Sequence, residues 1–495
     1  MKKSLNLSAG FVCVFLATLC QGGLLNPTTP PTAGTMKPLD QVEPRTPITS
    51  VPCTISSSGS YYLTKNLTST GTAITISADD VTLDLCGFTL TGPGSGTNYG
   101  IYMNGRKNIE IRNGTIKSFG TDGIYDSSSS GGNQRILRVQ VIGNKRYGIY
   151  LHGSTNQIKD CVISGNGSSY AGFVYGINTA AGCAITGNTV YENGMAATGN
   201  VSGIYTGSGC KITDNVVYGN GVSAGGVVYG INCDSGSTIT DNSVFSNGSY
   251  ATNTVYGIYA LNSSNTISGN TVHGNGIFSS GGLGSGIYTM DAGSIMNNIV
   301  RSNGGPGITG TNFCQIIQNT ITGNSGAGIS VGENCTISKN TAGTNTSTGI
   351  VAGNNANING NTVASNSADG ITAGDHVTIT DNTVTSNYTS GITCTGGTIA
   401  KNTVSLNNTS ATADKGGIVV ANHSQIKENT LEGNTKNNIY VTGYRSSIEG
   451  NVMSGSDYGI NFGSTGNVYL NNRAASNGVN YNPAGNTDGG GNISF

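Results

Sequence analysis

The sequence predicts an all-β solenoid: a right-handed, single-stranded parallel β-helix of about 16 coils, with three short strands per coil. Three observations predict it. An asparagine recurs at Asn188, Asn215, Asn242, Asn270, Asn298, Asn319, Asn340, Asn361, Asn382, Asn402, Asn429 and Asn451, with gaps of 27, 27, 28, 28, 21, 21, 21, 21, 20, 27 and 22. A second asparagine follows five residues after the first, as at Asn193, Asn220 and Asn247, and then a Gly-Ile step, as at Gly203-Ile204, Gly230-Ile231 and Gly257-Ile258. Within a unit such as Lys211 to Asn220, β-branched residues alternate with polar ones, and no stretch holds a helical period for ten residues.

Composition closes off the alternatives. Charged residues make up 9% of the 495, and 23 Lys and Arg against 24 Asp and Glu leave a net charge of −1, which excludes a protein that coats nucleic acid. Collagen would need a three-residue glycine period and far more than the 10 prolines present. Disorder fits poorly, because Ile and Val recur at fixed spacing between turn-forming Asn, Gly and Ser.

Each segment follows in order. Lys2 and Lys3, the apolar run Phe11 to Leu19 and the small residues Gly22 and Gly23 predict a signal peptide over 1–22, hence an exported bacterial protein, secreted or held at the cell surface. A lipid anchor at Cys20 is a second reading, weakened by Leu19 where a small residue is wanted. No other apolar run approaches the roughly 20 residues of a membrane helix. Residues 23–50, with six prolines, predict an extended linker. Residues 51–90 are assigned an N-terminal cap and first coil, and residues 91–495 the repeat domain. A unit of three strands cannot bury its apolar face alone, so successive coils must stack, which makes every sheet parallel. Strands about 4.8 Å apart over sixteen coils give a rod of about 75 Å. The asparagines then pile up at one turn, each amide donating to and accepting from the next, a structural role that requires no catalysis.

The repeat, with Ser50 to Leu63 and Asp79 to Leu90 ahead of it, resembles the right-handed parallel β-helix (pectate-lyase-like) superfamily, and within it the secreted bacterial proteins that carry parallel-β-helix repeats. The resemblance covers about residues 50 to 495 and implies the fold. It implies no single activity, since the superfamily includes polysaccharide lyases, polygalacturonases, uronan epimerases, phage tailspikes and adhesins. The polygalacturonase-like set is missing: Asp79-Asp80 is the sole Asp-Asp pair, and there is no Gly-His-Gly. The chain has no Trp, so the Trp-containing motif of many pectate lyases is absent, as is an epimerase-type Asp-Pro-His.

Function is therefore sought where coils swell. In compact coils the Gly-Ile step lies four positions after the second Asn, whereas in five consecutive coils, from Asn166 to Gly286, it lies ten or eleven positions after it. By resemblance, the strand after Gly-Ile lines the substrate groove. If Ile points inward, the next residue points outward, which sets Tyr102, Tyr125, Tyr150, Asn178, Tyr205, Asn232, Tyr259 and Tyr288 in one column beside the enlarged turns. Aromatic faces stack on sugar C–H surfaces and amides bond hydroxyls, so the column predicts polysaccharide binding; the bland alternative is a plain tyrosine ladder.

Nine of the 23 basic residues lie within 101–160, which would draw an acidic glycan or simply form a solvated patch. Tyr150, His152 two residues after it, and Lys145 and Arg146 on the preceding turn are the candidate catalytic set for a uronate lyase: cations to neutralise the carboxylate, a base to take the C5 proton. No histidine pairs with another at metal-ligand spacing, so neither a metal nor a cofactor is expected. Cys183 and Cys210, and Cys314 and Cys335, are read as buried stacked thiols, and Cys53 with Cys86 as a disulfide. The readings that stand are a polysaccharide-binding or polysaccharide-processing protein and a noncatalytic adhesion rod. A minor third is an ice-binding surface on the column Thr320, Thr341, Thr362, Thr383, Thr403 and Thr430, against which Thr as an ordinary strand residue competes.

Overall fold

The computed structural model describes residues 43–282, 284–483 and 485–495, so the expected signal peptide and most of the linker lie outside the described residues. Residues Thr46–Phe495 form one compact unit, a parallel β-helix with three faces. Sheet I stacks the strands that follow the Gly-Ile step, such as Ile149–Leu151, Val174–Thr179 and Val201–Thr206. Sheet II contains Gln157–Lys159, Ala184–Thr186 and their equivalents, and sheet III contains Val162–Ser164, Thr189–Tyr191 and theirs. Every pairing joins a strand to its counterpart in the next coil, in parallel.

Among the described residues sheet I has nineteen strands. The sixteen predicted coils, fifteen with Gly-Ile and one with Asn438-Ile439, are all present, and three coils without that signature extend them. Cys53–Ile55 and Ile74–Ile76 precede Ile101–Met103, and Val479–Asn482 follows Tyr458–Phe462. Residues 51–90, assigned to a cap and first coil, already contribute strands to all three sheets, and the stack begins at Thr46–Ile48, which pairs with Tyr61–Leu63. The linker therefore gives way to strand a few residues before its expected boundary.

The interior is three apolar columns. Ile177, Ile204 and Ile231 come from sheet I, Ile185, Ile212 and Ile239 from sheet II, Val190, Val217 and Val244 from sheet III, and all are fully buried. The glycine of the Gly-Ile step is dictated by space rather than by φ: a Cβ on Gly203 would lie 2.6 Å from Val217 Cγ1 and 2.7 Å from the carbonyl oxygen of Gly230.

Two asparagine ladders close the corners flanking sheet III. At Asn298 the backbone N–H donates to Asn319 Oδ1 (2.9 Å), and Nδ2 donates to the same oxygen (3.0 Å) and to the carbonyls of Ile267 and Met296. Its own Oδ1 accepts the N–H and amide of Asn270. The second ladder repeats this through Asn193, Asn220 and Asn247. The third corner, between sheets I and II, is a mixed column in which thiols replace amides. Asn156 N–H donates to Cys183 Sγ (3.3 Å), Cys183 N–H to Cys210 Sγ (3.3 Å), Cys210 N–H to Ser237 Oγ (3.2 Å), and Ser237 N–H to Asn265 Oδ1 (2.9 Å). Cys314 and Cys335 repeat the arrangement. The cysteines are thus buried acceptors at a corner that needs one, and none of them forms a disulfide. The expected Cys53–Cys86 bridge is not formed either: Cys53 carries no disulfide, and Cys86 is exposed.

Replacing one rung tests this account. Asn298→Ala orphans several buried groups and should cost roughly 3 kcal/mol, seen as a lower midpoint of urea unfolding. Cys210→Ser keeps an acceptor of the kind already used at Ser237 and should move the midpoint little. Equal effects from both would show that the corner bonds do not carry the stack.

Candidate functional site

The enlarged turns are built rather than loose. After Asn166, Asn193, Asn220 and Asn247 the chain arches outward and returns through strands lengthened to six residues, such as Val201–Thr206 and Val228–Cys233. Successive arches hydrogen-bond to one another: Ala196 N–H to Ser168 O (2.7 Å), Ser223 N–H to Met195 O (2.8 Å), Tyr250 N–H to Val222 O (2.7 Å). Beneath them Val174, Ala197, Val201, Ala224, Val228, Ala251 and Val255 form a second, smaller apolar core. One edge of sheet I is therefore bordered by a packed ridge.

The predicted column is in register on sheet I. Tyr102 faces Tyr125, Tyr125 faces Tyr150, and the series continues through Asn178, Tyr205, Asn232 and Tyr259 to Tyr288. All are half-buried except Asn232, at 7% exposure. A second outward column lies three residues earlier, at Tyr99, Tyr147, Tyr175, Tyr229 and Tyr256. The sequence signal for it was the recurrent Tyr-Gly-Ile motif, and period-two alternation hides it, because Gly and Ile both turn inward and the bend between them restores the preceding Tyr to the outside. The columns interlock: Tyr147 lies 5.2 Å from Tyr150 and 5.1 Å from Tyr175, Tyr175 5.4 Å from Tyr205, and Tyr256 4.6 Å from Tyr259 between ring centroids.

Where Asn178 replaces a ring, the surface opens into a recess of about 300 Å³ lined by Tyr150, His152, Tyr175, Asn178, Tyr205 and Gly207. His152 Nδ1 sits 3.4 Å from Tyr150 Oη at its rim. Of the other two members of the candidate catalytic set, Arg146 lies against the same aromatic floor but is committed to an internal partner, and Lys145 lines a different recess. Arg146 makes a two-pronged ion pair with the fully buried carboxylate of Asp122, Nε to Oδ1 at 2.9 Å and Nη2 to Oδ2 at 2.6 Å. Its guanidinium lies over the Tyr147 ring at 4.4 Å. The bond to Asp122 drives the Arg146 pKa upward and fixes its charge inside the protein. Lys145 lines a separate recess of about 320 Å³ with Ser168, Ser169 and Tyr170, under the first arch. The structure brings Tyr150 and His152 together, sets Arg146 over the neighbouring Tyr147 with its charge paired to Asp122, and places Lys145 in a separate recess.

The model of the family described as "Right handed beta helix region" matches residues 53–203, 99–272, 202–351 and 256–409. The chain belongs to the right-handed β-helix family. Solved structures of similar fold include the mannuronan C-5 epimerase AlgE4 A-module of Azotobacter vinelandii (16% identical over 87% of this chain and 91% of that one, TM-score 0.31). The periplasmic alginate epimerase AlgG (12%, 82% and 78%, 0.22) and a tailspike of E. coli bacteriophage HK620 in complex with a pentasaccharide (14%, 88% and 72%, 0.30) are others. At these values the likeness is one of fold and carries no assignment of activity. No curated protein matches the chain.

The right-handed β-helix displays two further columns. On sheet III, Tyr191, Tyr218, Phe245 and His273 stack at 5.0 to 5.1 Å with interplanar angles of 1 to 5°. Sequence reading passed over this ladder, whose rings cover one another's faces. Further along sheet III the exposed threonines from Thr320 to Thr430 are also in register, but the column two residues on is broken by Gly343, Ala364 and Glu432. Among the described residues no helix is long and apolar enough to cross a membrane, and no cluster of three metal-ligating side chains occurs.

Burial pushes the phenols of Tyr147 and Tyr229 up to about 12 and raises those of Tyr150 and Tyr175. These four phenols therefore remain hydrogen-bond donors at every physiological pH. Their folded pKa exceeds the unfolded value of about 10, so the stability they confer is complete below pH 10 and is lost as pH rises toward 12. Ultraviolet titration of the native chain should show a late-ionising class of tyrosines that Tyr147→Phe and Tyr229→Phe shrink. Ionisation of every tyrosine near pH 10 would contradict the burial.

Proposed function

We propose that the protein binds a polysaccharide along sheet I, against the ridge of enlarged turns, as an exported or surface-held protein. The observation that carries this reading is the recess around Asn178. It is walled by Tyr150 and Tyr205, floored by an amide, and continuous at both ends with half-buried tyrosines. Tyrosine offers an apolar face for sugar C–H groups and a phenol for hydroxyls, and interlocked rings give up little conformational freedom on binding.

The sheet III ladder lacks this property, since its ring faces are occupied by one another. Binding without turnover is the form the geometry supports, because, of the two cations a lyase could use, Arg146 is committed to Asp122 and Lys145 lines a separate recess. The glycan-handling names of structural neighbours add nothing to this argument at their level of similarity.

The test is a triple variant, Tyr150→Ala, Tyr205→Ala and Tyr259→Ala. Each lost stacking contact is worth roughly 1 kcal/mol, so affinity for a glycan that the parent binds should fall at least tenfold, with the circular dichroism spectrum unchanged. Unchanged affinity would place binding on another face.

A further inference from the structure

We infer that the glycan in the sheet I groove is uncharged: a neutral hexose-based chain, with one sugar ring seated between Tyr150 and Tyr205 over Asn178. The inference rests on the glycan-binding reading of sheet I and goes on to name the class of ligand.

Charge decides the class. From Tyr147 to Met290, the span that supplies most of the groove, the chain contains no arginine, and its only lysines are Lys159 and Lys211. Both lie on exposed positions of sheet II, a different face of the coil. The nearest cation to the recess within the aromatic floor is Arg146, and the buried carboxylate of Asp122 neutralises it through two short bonds. On the turns that leave sheet I from Ala180 to Asp291 the charged groups are carboxylates: Asp234, which accepts a bond from Asn262, and Asp291, which accepts bonds from Thr311 and the N–H of Asn312; Arg106 and Lys107 stand on that turn only at the far end of the column, after Ile101–Met103. Aromatic faces carry negative quadrupole potential. A uronate carboxylate placed here would be desolvated against ring faces, near like charge, with no counter-ion.

A neutral sugar meets none of these costs. Tyr150 and Tyr205 are two coils apart, about 10 Å, which leaves room for one saccharide ring in contact with an aromatic side chain on each side. Asn178 supplies both a donor and an acceptor at the floor, His152 and the protonated phenols stand at the rim, and each suits a hydroxyl. Asn232, two coils further on, is the same device again, an amide between Tyr205 and Tyr259 whose Oδ1 has no partner among the described residues.

The experiment is calorimetric titration of the full chain with neutral oligosaccharides (cello-, manno-, malto- and chito-oligomers) and with acidic ones (oligogalacturonate, oligomannuronate, oligoguluronate), at low salt and at 0.5 M NaCl. The expected result is binding of at least one neutral series, insensitive to salt and weakened tenfold or more by Tyr150→Ala with Tyr205→Ala. In addition, Asn178→Lys, a change at a partly exposed site, should raise affinity for the acidic series tenfold or more by supplying the missing cation. If the parent binds an acidic series more tightly than every neutral one, with affinity falling as salt rises, the neutral-ligand inference is overturned while the groove reading survives. If no oligosaccharide binds, or if binding ignores both tyrosine changes, the groove reading itself fails and takes this inference with it.

Discussion

Every coil turns three corners whose backbone N–H groups are sealed between neighbours, and a buried donor without a partner is too costly to repeat along a stack of this length. The asparagine side chain solves this with one residue per coil. Its Oδ1 takes both the N–H and the amide of the coil before, while its Nδ2 reaches the next Oδ1 and a carbonyl, as at Asn215, Asn242 and Asn270. Because each rung fixes the next, the register of all three sheets follows from the ladders. The third corner shows how strictly an acceptor is required. Where no amide is present, a thiol or a hydroxyl takes its place, and Cys161 does the same at the start of the first ladder by accepting the N–H of Val139 and donating its own N–H to Asn188.

A register held at the corners tolerates insertion between them, and the groove depends on that tolerance. The extra residues after Asn193 or Asn220 leave the interior untouched, because Asn193 still bonds to Asn220 across them. The insertions bury Val201, Val228 and three alanines of their own, which makes the ridge rigid. On the adjoining sheet the same strict register stacks tyrosine on tyrosine. Uninterrupted, that produces the sheet III ladder, whose ring faces are sealed. Sheet I differs because Asn178, Ser202 and Asn232 interrupt its columns and because the contacts beside those interruptions are tilted, by 51° between Tyr175 and Tyr205 and 50° between Tyr229 and Tyr259. The interruptions turn an aromatic ladder into a surface with recesses.

Much of this was legible in the sequence because it is periodic. The two asparagines and the Gly-Ile step identify the strands, the faces and the register, and they place Tyr102 through Tyr288 in one column. What escaped is aperiodic or breaks parity. The coils at Cys53–Ile55, Ile74–Ile76 and Val479–Asn482 lack glycine-isoleucine and so have no signature. Tyr175 and its equivalents were hidden by the bend at glycine. The partnership of Arg146 with Asp122 joins residues 24 apart through a position whose residue type changes from coil to coil, from Tyr99 and Tyr147 to Ser202, Pro306 and Ala327, so no repeat announces it.

That partnership also changes the meaning of the basic cluster in 101–160. Counted along the sequence, it is a concentration of positive charge beside a sugar groove. In space, Arg112 is engaged by Asp84 at 3.1 Å and Glu110 at 2.9 Å, Arg135 by Glu110 at 3.0 Å, and Arg138 bonds Asn113, all at strand and corner positions of sheets II and III. Arg146, the one that reaches the groove floor, is neutralised there. A β-helix can separate chemistry in this way because outward columns on different faces never meet, however close they are in sequence. Residues three or four apart on a helix share a face, whereas residues five apart here stand on different sheets, as Lys159 on sheet II and Ser164 on sheet III do. Local charge density along the chain is therefore a poor guide to potential in the groove, where Arg146 is already paired with Asp122 while the pairs of Arg112 and Arg135 lie on other faces.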